Sequence, residues 1–105
     1  MERFGKVRRG VRVVPLSGEE SFPARVQRYN RVQIPVLVRW KHKLEMGEVL
    51  YVMVYNPESY ARAHECFYAK VLEGGRITIP KLMVELLEIK AGDVVQVTLY
   101  AEKPP

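Results

Sequence analysis

From Phe67 to Val71 the chain alternates: Phe67, Ala69 and Val71 are apolar, with Tyr68 and Lys70 between them. A period of two marks a half-buried strand, because successive side chains leave a pleated backbone on opposite faces. Glu73-Gly74-Gly75 follows and predicts a hairpin turn, since glycine enters the positive-φ region without steric cost. Ile77 and Ile79 resume the alternation facing inward, with Arg76 and Thr78 outward. Pro80 ends that strand and suits the first turn of a helix. Leu82, Met83, Leu86 and Leu87 then fall at i, i+1, i+4 and i+5, the stripe of a buried helix face. Ala91-Gly92-Asp93 predicts a turn, and Val94, Val95, Val97 and Leu99 a closing strand.

The same order is written once before. Shifted by 45 positions, Phe22–Tyr55 lies over Phe67–Tyr100 without a gap. Eleven pairs are identical: Phe22/Phe67, Ala24/Ala69, Val26/Val71, Arg31/Arg76, Ile34/Ile79, Pro35/Pro80, Leu37/Leu82, Gly47/Gly92, Val49/Val94, Val52/Val97 and Tyr55/Tyr100. Ordinary composition would give roughly two. Neither copy can bury its apolar faces alone, because it falls below the ~40 residues at which unaided folding becomes improbable. The pattern therefore predicts one domain over 22–105, in which repeat one (22–55) and repeat two (67–100) share a core. The linker, 56–66, reads as a short helix opened by Asn56 and Pro57. The expected architecture is mostly β with short helices, closed into a small twofold barrel that leaves no sheet edge exposed. Residues 1–21 stand outside the repeat as a basic extension, with Val11–Val14 readable as an added strand and Tyr55 and Tyr100 expected to seal the barrel ends.

Charge changes this picture more than composition does. The 105 residues carry a net charge of +5, and it is uneven. Residues 1–55 hold 11 Lys/Arg against 5 Asp/Glu, whereas residues 56–105 hold 6 against 7. A basic half suggests a polyanionic partner. No apolar run approaches the ~20 residues of a membrane span, and "MERFGKVRRGVRVVP" has no signal-like apolar region. With a single cysteine, Cys66, no intrachain disulfide forms, so the expected location is cytoplasmic.

Two positions are basic in both repeats, Arg25/Lys70 and Arg31/Arg76, and strand alternation points all four off the core. The first helix reads "VRWKHK", placing Arg39, Lys41 and Lys43 around Trp40. Cations beside an indole suit phosphate contact with stacking. Trp40 also shares a helical face with Leu37 and Leu44, which favours the core for it. Arg8 and Arg9, with Lys6 and Arg12, form an arm of the kind that follows a nucleic-acid groove. His64 and Cys66 offer two metal-ligand types where a structural zinc site needs about four. No P-loop and no nucleophile-elbow motif is present. The expectation is a binding protein that is not an enzyme and has no metal or cofactor.

"GRITIPKLMVELLEIKAGDVVQV", Gly75–Val97, resembles the AbrB/MazE-type (SpoVT-AbrB) domain: a Gly-Arg-β-β-β-Pro hairpin, a short helix ending in Leu-x-Ile, and a Gly-Asp turn into a strand. Arg76, Ile77, Ile79, Pro80, Leu87, Ile89, Gly92 and Asp93 fall on that pattern. Arg31, Val32, Ile34, Pro35, Leu37, Leu44, Gly47 and Glu48 match it more loosely. In that family two identical short chains interleave as a swapped-hairpin barrel and bind double-stranded DNA. The resemblance implies a single-chain pseudo-dimer with a DNA-binding, transcription-regulating role and with Arg31 and Arg76 as contacts. The signature also occurs in related cradle-loop barrels, double-psi barrels included, some of which bind proteins. That leaves the threading open and gives the alternative of a protein-interaction module, antitoxin-like or adaptor, with Val84 and Tyr68 as candidate contacts. The chain departs from the family's arginine set at Ala24 and Ala69, and after the hairpin proline only Arg39 is basic.

Overall fold

The computed structural model describes residues 18–59 and 64–100. Six strands and two helices follow in order: β1 (Glu20–Arg25), β2 (Arg31–Gln33), α1 (Val36–His42), β3 (Val49–Tyr55), β4 (His64–Lys70), β5 (Arg76–Thr78), α2 (Lys81–Leu86) and β6 (Val94–Tyr100). A 3-10 turn, Arg28–Asn30, separates β1 from β2. The 45-residue spacing holds throughout: β2 and β5, and β3 and β6, coincide residue for residue.

Among the described residues all strand pairing is antiparallel and joins one repeat to the other. β1 pairs with β6, β4 with β3, β3 with β6, and β2 with β5. The register itself is twofold. Val32 faces its equivalent Ile77, and Met53 faces its equivalent Thr98. Turn bonds repeat the symmetry across the halves: Gly47 N–H donates to Val71 O at 2.7 Å, and Gly92 N–H to Val26 O at 2.8 Å. Val71 N–H donates to Glu48 O and Val26 N–H to Asp93 O, both at 2.8 Å. Each Gly-acid turn thus clamps the end of the other repeat's first strand, and the Glu48 and Asp93 carboxylates cap their own turns through Glu45 N–H and Lys90 N–H.

The core lies between the sheets and is built from equivalent pairs: Phe22 and Phe67, Val26 and Val71, Val32 and Ile77, Ile34 and Ile79, Val52 and Val97, Val54 and Leu99. Alternation predicted the burials in β1, β2, β4 and β5, because an interleaved sheet keeps one face inward along each strand.

Five expectations are corrected. The described strands do not close into one hydrogen-bonded barrel. They form a four-stranded sheet, ordered β1-β6-β3-β4, and a separate two-stranded ribbon, β2-β5. The ladder breaks because β2 and β5 are three residues long, bounded by prolines and by turns in which Gln27 N–H donates to Arg31 O and Leu72 N–H to Arg76 O, both at 2.7 Å. Leu82 and Leu86 are exposed, and of the predicted stripe only Leu87 is buried, with Met83 partly so. Trp40 is exposed, not core. Tyr55 and Tyr100 do end β3 and β6, but they lie half-buried on the outer face of the sheet and seal no barrel, and Tyr100 stands in a cross-strand row with Tyr51 and Tyr68. The linker runs as a turn from Asn56 before its undescribed part, and 64–66 belong to β4. Val11–Val14 lies outside the described residues.

Candidate nucleic-acid interface

The β2-β5 ribbon sends Val32 and Ile77 into the core, so Arg31, Gln33, Arg76 and Thr78 occupy its other face. Register places Arg31 opposite Thr78 and Gln33 opposite Arg76, so the two arginines sit on a diagonal about the twofold axis. Arg31 carries its guanidinium 5.7 Å from the centre of the exposed Tyr29 ring, a cation–π contact, and its buried Nε has no hydrogen-bond partner. Gln33 Nε2 donates to Gly74 O at 2.6 Å, tying one repeat to the hairpin turn of the other.

Arg39 joins this ribbon from α1. Its Nε donates to Ile34 O at 3.2 Å, and its side chain lies where a Cβ on Gly75 would have to be. Gly75 has φ +80°, as glycine permits. The equivalent positions are Val84 and Asn30, so this contact between Arg39 of the first repeat and Gly75 of the second is not repeated across the twofold.

The other candidates are placed elsewhere. Arg25 and Lys70 are exposed at opposite corners of the four-stranded sheet's outer face, and Arg25 Nη1 donates to Gly92 O at 2.7 Å. Lys41 does not face the ribbon: its Nζ is 2.8 Å from Glu20 Oε2, which also lies 2.8 Å from Nε2 of the buried His42. These hydrogen bonds, first from Lys41 and then from His42, hold the Glu20 carboxyl below its ordinary pKa. Lys43 is exposed at the C-terminal end of α1 with φ 54°. Arg8 and Arg9 lie outside the described residues. The structure therefore brings Arg31, Arg76 and Arg39 together and sets Arg25, Lys70 and Lys41 apart from them.

His64 and Cys66 lie on the outer face of β4; His64 stacks on Tyr55 with ring centres 4.5 Å apart, and Cys66 is exposed opposite Met53. Among the described residues no three His, Cys, Asp or Glu side chains converge as metal ligands. Of the two residues named for protein contact, Tyr68 is exposed beside Tyr51, and Val84 lines a hollow of about 700 Å³ with Glu58, Glu85, Glu88, Ile89, Lys90 and Asp93. Sequence reasoning missed Tyr29, Gln33 and Gly75. The joint change of Gly75 to Asn30 and Arg39 to Val84 between repeats was the available signal for one of them.

No protein-family model matches this chain, and no curated protein does. It is similar to the solution structure of PHS018 from Pyrococcus horikoshii, with a TM-score of 0.73 and 28% sequence identity over 86% of this chain and 96% of that one. No helix of the described residues is long and apolar enough to cross a membrane.

Proposed function

We propose that this protein binds double-stranded DNA as an AbrB-like regulator in the cytoplasm, with the outer face of the β2-β5 ribbon as its contact surface. The observation that carries this reading is the juxtaposition of Arg31 and Arg76 on one ribbon face with Arg39 beside them. A two-stranded ribbon is one of the two elements that the major groove of B-DNA admits, and arginines on a twofold diagonal meet phosphates on both of its walls. Arg25 and Lys70, at the corners of the four-stranded sheet, lie outside that contact surface. The finer fold that goes with this function is the swapped-hairpin arrangement with both halves in one chain, supported by strand pairing that runs only between repeats.

A shift assay on duplex and single-stranded DNA in rising KCl tests the proposal. With about five phosphates neutralised, log affinity falls against log salt with a slope of about −4 to −5 on duplex. Arg31→Ala and Arg76→Ala each make that slope shallower by about 1 and leave thermal stability almost unchanged, since both side chains lie off the core. No measurable duplex binding at low salt would remove the proposal.

A further inference from the structure

What the fold leaves uncovered is the outer face of each helix. Leu37 and Trp40 are each 70% exposed on α1, with Val36 beside them; on α2, Leu82 is 59% and Leu86 47% exposed. Contiguous apolar surface of this kind marks an interaction site. The charges around the two faces are opposite. Lys43 stands exposed beside Trp40, next to Lys41, which is held by Glu20, whereas Glu85 and Glu88 flank the leucines. The twofold gives the faces a shared backbone outline, and the two sequences have made one cationic and the other anionic.

We propose that this protein associates with itself head to tail. The α1 face of one copy docks on the α2 face of the next. Leu37 and Trp40 pack on Leu82 and Leu86, and Lys43 meets Glu85. Because α1 and α2 are related by the internal twofold, each contact uses one face of each copy and leaves the other available, the rule for a heterologous interface. The proposal uses the helix outer faces and not the ribbon, so it stands whether or not duplex DNA binds there. It also accounts for a duplication whose first half is basic and whose second is not.

Sedimentation velocity on the full chain, freed of nucleic acid by nuclease, tests it over a concentration series. The weight-average mass rises above that of one chain with concentration, and more so at low salt. Trp40→Ala and Leu86→Lys each weaken association about thirtyfold, as loss of a central interface anchor does, without lowering the thermal midpoint. Trp40→Ala keeps an intact α2 face and Leu86→Lys an intact α1 face, so an equimolar mixture forms a two-chain species and nothing longer. Single-chain mass at every concentration overturns the proposal, as does sensitivity to only one of the two variants or a mixture that stays monomeric. If Trp40→Ala weakens DNA binding and leaves the mass unchanged, nucleic acid is the occupant of α1 and the proposal falls.

Discussion

Gly75 has two constraints on it, and they can be separated. Its φ of +80° costs any other L-residue about 1–2 kcal/mol, and a Cβ there would also displace the Arg39 side chain. Gly47 has φ +93° but nothing within 4 Å of an added Cβ. Gly75→Ala and Gly47→Ala should therefore each lose about 1–2 kcal/mol in denaturant titrations, while only Gly75→Ala also weakens duplex binding. Glu20 gives a second prediction at this scale. Its pKa is depressed in the folded protein by Lys41 and His42, so the carboxylate adds stability above the ordinary value of 4.5 and loses it as pH falls through the lowered value. Thermal midpoints should drop below about pH 4.5 in the parent, and the Glu20→Gln variant should show a shallower drop. The basic character of Lys41 was legible from its position in "VRWKHK"; its partner was not, because Glu20 is brought to it by the fold and not by sequence spacing.

The helices show where pattern reading stops. Each ends in a Schellman turn: Lys43 N–H donates to Trp40 O at 3.2 Å and Leu44 N–H to Arg39 O at 2.9 Å, matched by Glu88 to Glu85 and Ile89 to Val84. The αL residue at each turn is Lys43 and Glu88, not the usual glycine. It redirects the chain so that Ile89, and in part Leu44, packs inward just past the helix. Within α1 and α2, Val38 with His42, and Met83 with Val84, face the core, which is all that a two-turn helix lying across one end of the sheets can offer. The i, i+4 stripe of leucines assumes a long helix flat on a core, and that assumption failed here. Lys43→Gly should raise stability by about 0.5–1 kcal/mol, because glycine occupies αL without the steric cost that lysine bears. A chemical-denaturation midpoint checks it, and an unchanged or lower midpoint would show that the lysine side chain contributes more than its backbone costs.

At the scale of the whole molecule, no β-ladder among the described residues forms inside either repeat; each one crosses between them. A chain cut to residues 18–59, or to 64–105, should therefore show no cooperative thermal transition by circular dichroism. Coexpressed, the two pieces should recover one transition, since each supplies the other's missing strand partners. A folded, cooperative single repeat would contradict the interleaved architecture. The same interleaving decides which cations act together. Arg31 and Arg76 are 45 positions apart in the chain but diagonal neighbours on one ribbon, whereas Arg39 and Lys41, two positions apart, serve the ribbon and an ion pair at Glu20 respectively.

The sequence by itself determined the repeat, the order of elements within each copy, the inward phase of β1, β2, β4 and β5 and the glycine turns. These depend on side-chain period and local steric limits, which each segment carries within itself. Tertiary structure alone decided that the ladder opens into a sheet and a ribbon, that the helix leucines and Trp40 stay in solvent, and that Gly75 seats Arg39. Those outcomes depend on which distant segment reaches a given face first, and spacing along one chain holds no record of that.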